Sequence, residues 1–197
     1  MSKSFEFFFD YVSPTAYLAL PVAQGVAERT GATLVFRPMF LGGVMQATGN
    51  RPPGMVPAKS AYMSRDMQRC ADHIGLPFHP NPAFPMNTLG LVRATIGLEP
   101  DPAEQLRFIT TCFHACWGQP EPLDPSDKEA VAAMCSANGF DANQIAALAS
   151  SDAAKDKLRA NTEEAVARGI FGAPSFLVGD ELFFGHDRLD YVERMLA

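Results

Sequence analysis

Positive charge and paired cysteine are what this sequence has least of. Sixteen Lys and Arg stand against twenty-two Asp and Glu, giving a net charge of −6 and a pI near 5.2. Such a chain lacks the basic field that attracts phosphate backbones or anionic lipid, so neither nucleic acid nor a membrane is expected as a partner. No apolar run in the sequence approaches the roughly 20 residues a spanning helix needs. The four cysteines, Cys70, Cys112, Cys116 and Cys135, contain no Cys-x-x-Cys pair, which excludes a redox dithiol and a zinc ribbon. Cys112-Phe-His114-Ala-Cys116 is the one stretch with metal-ligating residue types close together. On a helix, however, His114 points roughly 200° away from Cys112, and no further ligand follows at zinc spacing. These thiols read as core residues beside Phe113 and Trp117, and no metal is expected. Phosphate-cradling loops are missing as well: Gly42-Gly43 and Gly169-Ile-Phe-Gly172 lack the needed spacing. Met1-Ser-Lys-Ser4 runs directly into Phe5-Glu6-Phe7-Phe8-Phe9 with no small-residue cleavage site. It does not read as a secretory signal, and a reducing cytoplasm is the expected location.

What is present is a periodic pattern that changes twice. At 197 residues the chain suits one domain, or one domain carrying a large insertion, with a core that needs no disulfides. Phe5–Phe9 reads as a strand buried on both faces. Ser13-Pro14 starts a helix, with Ser as N-cap and Pro at the first helical position, and the helix runs to about Arg29. It carries Leu18, Val22 and Val26 on one face, with a kink expected at Pro21, and Gly31 ends it. Thr33–Phe40 gives a second strand, so the opening is β-α-β with a parallel pair. Residues 41–57 are rich in Gly and Pro and read as a long loop. A helix follows with Met63, Met67, Cys70 and Ile74 as a core stripe, then a proline-rich turn over residues 77–85. Further helices are predicted near 87–97, 102–117, 126–138, 141–149 and 151–168. Residues 173–178 read as a strand, Gly179-Asp180 as a hairpin turn and Glu181–Phe184 as the returning strand. Asp187 is expected to cap a last helix that turns Leu189, Val192, Met195 and Leu196 inward. The fold class is therefore α/β, with a thioredoxin-like core (β-α-β … β-β-α) and a large all-helical insertion between its halves. Residues 1–42 and 168–197 would form the core and 43–167 the insertion.

A core of this kind places its reactive group at the N-terminus of the first helix, where unpaired N–H groups and the helix dipole favour an anion. Thiolates exploit that position, yet here it holds Ser13. A serine hydroxyl cannot exchange disulfides, but it can donate to a thiolate supplied by another molecule. Taken locally, Ser13 reads first as a plain N-cap. Ala173-Pro174 stands where this core class has a cis-proline, whose preceding residue pairs its backbone with a peptide-like ligand. An ordinary trans edge-strand proline is the alternative.

Three blocks together carry a family resemblance. They are Phe9-Asp10-Tyr11-Val12-Ser13-Pro14 with Tyr17-Leu18; Leu41-Gly-Gly-Val-Met45 with Gly49-Asn50-Arg51-Pro52-Pro53-Gly54, Pro57-Ala58-Lys59 and Tyr62-Met63; and Phe171-Gly172-Ala173-Pro174 with Phe184-Gly185-His186-Asp187-Arg188. The chain resembles, over essentially its whole length, the kappa-class glutathione transferases and 2-hydroxychromene-2-carboxylate isomerases of the DsbA-like thioredoxin superfamily. The resemblance implies glutathione as cofactor, with Ser13 holding its thiolate and Ala173, before a cis Pro174, pairing with its cysteinyl backbone. Asp187 with His186 would meet the γ-glutamyl end, and Asn50 and Lys59 the peptide and glycyl carboxylate. Asp187 also fits a helix cap, Asn50 a turn former and Lys59 a solvated charge. Thr15 and His186 depart from the family pattern, since relatives often have an aromatic residue at the first position and small or polar residues at the second.

The activity implied is glutathione-dependent interconversion of 2-hydroxychromene-2-carboxylate and trans-o-hydroxybenzylidenepyruvate by reversible thiolate addition, within naphthalene-type aromatic catabolism. Conjugation of electrophiles by a kappa-like transferase is the alternative, and a non-catalytic thiol-binding module a further one. Arg37 and Asn87 are candidates for the substrate carboxylate; Arg37 also fits a strand-edge charge and Asn87 a helix cap. A homodimer formed through the helical insertion is the implied assembly.

Overall fold

The computed structural model describes residues 3–197. Strand β1 (Ser4–Phe9) is central because its side chains are apolar on both faces. Phe5, Phe7 and Phe9 point to the larger core, where Phe7 stacks on Phe176 with ring centroids 4.9 Å apart. Phe8 points the other way, into a second core with Met39, Leu41, Val44, Ala165, Ile170 and Leu177. This two-faced use follows from the strand's period of two. Helix α1 (Pro14–Thr30) returns the chain to β2 (Thr33–Pro38), which pairs parallel to β1 with Phe7 opposite Phe36. Gly31 ends α1 at φ 67°, a conformation open to glycine because it has no Cβ. Pro21 lies inside α1. At the other end of the chain, β3 (Ser175–Val178) pairs antiparallel to β1, and β4 (Glu181–Phe184) pairs antiparallel to β3. The four-stranded sheet has the order β2-β1-β3-β4, with helices packed on it: the expected thioredoxin-like arrangement.

Between β2 and β3 come α2 (Leu41–Thr48), a 3₁₀ turn (Pro53–Met55), α3 (Pro57–Ile74), α4 (Leu89–Gly97), α5 (Pro102–Trp117), α6 (Lys128–Ala137), α7 (Ala142–Ser150) and α8 (Asp152–Ala167). Asp101, Asp127, Asp141 and Ser151 accept N–H groups in the first turns of α5, α6, α7 and α8, so these boundaries are set by local capping chemistry. Cys112, Cys116 and Cys135 are fully buried, whereas Cys70 is half-buried.

The structure corrects five local expectations. Residues 41–48 form a helix where a loop was expected, and β2 stops at Pro38. Gly42 and Gly43 are not loop formers here: the Phe40 ring lies so close that a Cβ on either would approach it to 2.9 Å. The stripe on α3 reaches only the margin of the core: Met67 and Cys70 are half-buried against it, Met63 is half-buried, Ile74 is 38% exposed and Ala71 alone is buried. Asp187 does not cap the last helix; it lies in a 3₁₀ turn (His186–Arg188) before α9 (Leu189–Leu196), paired with Arg188 at 2.6 Å. Finally, Leu189, Val192 and Leu196 of α9 face inward, but Met195 is exposed.

Candidate active site

The site is assembled at one end of β1. After Phe9 the chain turns through Asp10, Tyr11 and Val12 into Ser13, whose N–H donates to the Asp10 carbonyl at 3.0 Å. Asp10 is buried, and its carboxylate gathers three segments. It accepts the Val12 N–H at 3.2 Å, the Leu41 N–H at 3.0 Å and the Thr88 hydroxyl. The turn into α1, the start of α2 and the start of α4 are therefore fixed to one another. Burial pushes the Asp10 carboxyl pKa up, and these donors partly offset that rise.

Ser13 is 5% exposed and caps α1, its Oγ accepting the Ala16 N–H at 3.2 Å. The same hydroxyl donates to the Ala173 carbonyl at 3.1 Å. Thr15 Oγ1 lies 3.0 Å from Ser13 Oγ and 3.3 Å from the Ala173 oxygen, so two hydroxyls converge on one carbonyl. The Ala173–Pro174 bond is cis, as is Phe84–Pro85. Among the described residues the N–H groups of Thr15 and Ala173 have no protein acceptor. An anion beside Ser13 would thus meet a hydroxyl, an unfilled N–H of the first helical turn and the positive end of the α1 dipole.

Neighbouring segments frame this cluster. Asn50, just after α2, donates from Nδ2 to the Phe171 carbonyl at 2.7 Å and accepts the Arg51 N–H at 2.8 Å. A Cβ at Gly172 would come within 2.7 Å of the Phe184 ring and 3.7 Å of Asn50 Nδ2, so only glycine fits this packing without adjustment. The Gly185 N–H donates to the Pro174 carbonyl at 3.0 Å, which brings the His186–Asp187 turn next to the cis-proline. His186 Nε2 lies 3.3 Å from Cys70 Sγ on α3. Burial lowers the His186 pKa, and it raises that of Cys70 with help from Asp66 and Asp187, so both are neutral at pH 7. A neutral thiol here is not a resident thiolate.

The structure therefore brings Ser13, Ala173 and Pro174 into one cluster, ties Asn50 to the segment just before it, and ties His186 and Asp187 to it through Gly185. Three other candidates stand apart. Lys59 is exposed in the first turn of α3, with no hydrogen bond or ion pair to Ser13, Asn50 or Asp187 among the described residues. Arg37 is held at the sheet by ion pairs to Glu6, at 3.2 Å, and to Glu164, and lies over the Phe8 ring. Asn87 is exposed and accepts the Leu89 N–H at 3.2 Å. For Arg37 and Asn87 these are the strand-edge and helix-start placements that their residue types also allowed. Sequence reasoning missed Thr15 as a member of the cluster and Asp10 as its anchor. Two hydroxyls two residues apart at a helix start, and a carboxylate directly after a buried strand, were the available signals.

The donor set fits glutathione, a peptide with a thiol, two carboxylates and an ammonium. The Ala173 N–H has no acceptor among the described residues and can pair with a peptide backbone, the Ser13 hydroxyl lies against the Ala173 carbonyl, and the Asp187 carboxylate, paired with Arg188, follows the Gly185 link to Pro174.

Comparison with known proteins places this geometry in context. Residues 5–197 match the DSBA-like thioredoxin domain family. The chain is 32% identical to a 2-hydroxychromene-2-carboxylate isomerase of Sphingobium xenophagum, covering 100% of this chain and 99% of that protein. It is 30% identical to glutathione S-transferase kappa 1 of Caenorhabditis elegans, covering 97% of this chain and 89% of that one. The solved structure of a selenomethionyl 2-hydroxychromene-2-carboxylate isomerase superposes with a TM-score of 0.87 at 27% identity, over 98% of this chain and 94% of that one.

Proposed function

The chain belongs to the DsbA-like thioredoxin domain family, within the group of 2-hydroxychromene-2-carboxylate isomerases and kappa-class glutathione transferases, and from that premise we propose that it is a glutathione-dependent isomerase. Its substrate pair in this reading is 2-hydroxychromene-2-carboxylate and trans-o-hydroxybenzylidenepyruvate, in aromatic catabolism. The observation that carries the reading is the Ser13 hydroxyl, set 3.1 Å from the carbonyl that precedes a cis-proline, at the position where a redox member of the fold would need a thiol.

When bound, glutathione supplies a nucleophilic thiolate that can add reversibly to a conjugated substrate. The protein's part is to hold that sulfur as an anion. Lowering a thiol pKa by two units, to near neutrality, requires about 2.7 kcal/mol of preference for the charged form. A charge-assisted hydrogen bond from Ser13, together with the α1 N-terminus, supplies roughly that. In this proposal Ala173 pairs with the cysteinyl backbone, Asn50 and Lys59 serve the peptide and its glycyl carboxylate, and Asp187 with His186 receives the γ-glutamyl end. Arg37 and Asn87 are not carried forward as substrate ligands, because Glu6 and Glu164 hold the first and the α4 start engages the second. The protein acts as a cytoplasmic homodimer in this reading.

Conjugation of electrophiles is the second reading, favoured by the 30% identity to a kappa-class transferase. Both use the same thiolate, so the fate of glutathione separates them. Isomerisation leaves total glutathione unchanged, whereas conjugation consumes one glutathione per product. A chain that binds glutathione but turns over neither type of substrate would overturn both readings in favour of a binding module.

A further inference from the structure

We propose that Thr15 is a positioning residue that takes over the Ala173 carbonyl, so that Ser13 can turn its one proton to a bound glutathione thiolate. The proposal rests on the glutathione reading above and adds a residue to it. It starts from the count of protons and lone pairs on Ser13. A hydroxyl has one donor and two acceptor sites. In the structure one lone pair of Ser13 Oγ takes the Ala16 N–H at 3.2 Å, and the proton goes to the Ala173 oxygen at 3.1 Å. The hydroxyl assigned to the thiolate is thus already committed to the backbone.

Without a second donor, turning that proton to a thiolate would strand the Ala173 oxygen, and leaving a half-buried carbonyl unsatisfied carries a desolvation cost. That is comparable to the whole gain from a charge-assisted hydrogen bond, so Ser13 alone would give the anion little net advantage. Thr15 resolves the conflict. Its Oγ1 lies 3.3 Å from the same carbonyl oxygen and 3.0 Å from Ser13 Oγ. With the Thr15 proton on Ala173, the carbonyl stays satisfied in both states of the site, and the Ser13 proton can rotate without loss. No proton leaves either residue. The exchange is between acceptors, and the thiol proton of glutathione is released to solvent as in any ionisation. Thr15 sits in the first turn of α1 and is partly exposed, so its side chain can move between Ser13 Oγ and the carbonyl without repacking the core.

Thr15→Val removes the hydroxyl and keeps the branched shape, and Thr15→Ser restores it. Glutathione affinity would be measured by calorimetry at pH 5, where the free thiol is protonated, and at pH 8, with the pKa of the bound thiol followed through its ultraviolet thiolate absorbance. In Thr15→Val the bound thiol pKa is expected to rise by ~1 unit and affinity at pH 8 to fall up to ~10-fold, with affinity at pH 5 unchanged. Thr15→Ser should behave as the parent protein. Equal weakening at both pH values would mean that Thr15 merely supports the fold, and would overturn the proposal. So would a Thr15→Val protein with the parent's thiol pKa. Ser13→Ala separates this failure from failure of the underlying reading. If Ser13→Ala raises the thiol pKa and Thr15→Val does not, only the role of Thr15 falls. If the parent protein holds no thiolate at all, both fall.

Discussion

Ser13 has two duties that its place in the chain does not separate: it caps α1 through the Ala16 N–H, and it presents a hydroxyl to the cis-proline segment. Ser13→Ala removes both. The capping loss should lower stability by about 1 kcal/mol, read from denaturant midpoints. The lost donor should raise the bound glutathione pKa by ~1 unit or more and cut turnover at neutral pH by at least ~10-fold. Ser13→Asp would keep a cap but place a carboxylate against the sulfur, so it should restore stability without restoring the thiolate. His186 gives a second prediction at this scale, because burial lowers its pKa. A histidine kept neutral by the fold adds stability that is present above its unfolded pKa of about 6.5 and is lost as pH falls below that value. Thermal melts across pH 5–8 should therefore show a decline on the acid side that is reduced in His186→Gln. At the residue scale Ser13 was legible as a cap because capping is local, whereas the cis state of Ala173–Pro174 was an expectation from the core class, with a trans proline as the alternative. Thr15 was hidden because its function depends on a carbonyl 158 positions away.

Helix starts and stops were the most readable feature at the level of elements. Asp101, Asp127, Asp141 and Ser151 announce α5 to α8, and Gly31 and Gly75 close α1 and α3 with positive φ. Helix α2 was not readable, since Gly42-Gly43 is a poor helix former locally. Tertiary packing decides that case: Leu41 and Val44 enter the second core, and the glycines let Phe40 lie against the helix. Asp10 links this element to the site by holding Leu41, Val12 and Thr88 at once. Asp10→Ala should leave those donors buried and unmatched, costing about 3 kcal/mol in global stability. It should also loosen the α1 entry, so that turnover falls more than stability alone explains. The raised Asp10 pKa sets the sign of its pH effect. The folded state holds this proton more tightly than the unfolded one, so the Asp10 contribution to stability declines as pH rises through its folded pKa. Gly97→Ala tests the packing of α4 on α7. A Cβ there would stand 2.8 to 3.1 Å from three atoms of Leu148, its Cβ included. Overpacking at such a contact should cost about 1–3 kcal/mol by denaturant unfolding, with the glutathione site unaffected.

For the molecule as a whole, a net charge of −6 supplies no general attraction for an anion, so in the glutathione proposal that task falls to local groups, the α1 N-terminus and Lys59. Ligand linkage gives a first readout: glutathione should raise the melting temperature, and the gain should be larger at pH 8 than at pH 5 because the thiolate is the favoured species. The homodimer reading gives another. Tyr62, at 59% exposed, and Ile74, at 38%, leave α3 with apolar surface that the α1–α3 packing does not cover. Light scattering should give about twice 21.3 kDa, and Tyr62→Glu should shift it towards the monomer. Apart from α2, the order of strands and helices was legible from periodicity with cap and turn residues, since most elements' patterns agree with their place in the fold. The α3 stripe was read as wholly core, though only Met67 and Cys70 of it pack against the core, for a physical reason. A stripe of methionines has the same period whether it meets the chain's own core or lies at the surface. The central claim is that the protein borrows glutathione's thiol as a catalyst and returns it. The direct test is ultraviolet-monitored conversion of 2-hydroxychromene-2-carboxylate with and without glutathione, with total glutathione measured before and after. The account predicts conversion that needs glutathione and leaves its total unchanged; conversion without glutathione, or glutathione lost in step with product, would contradict it.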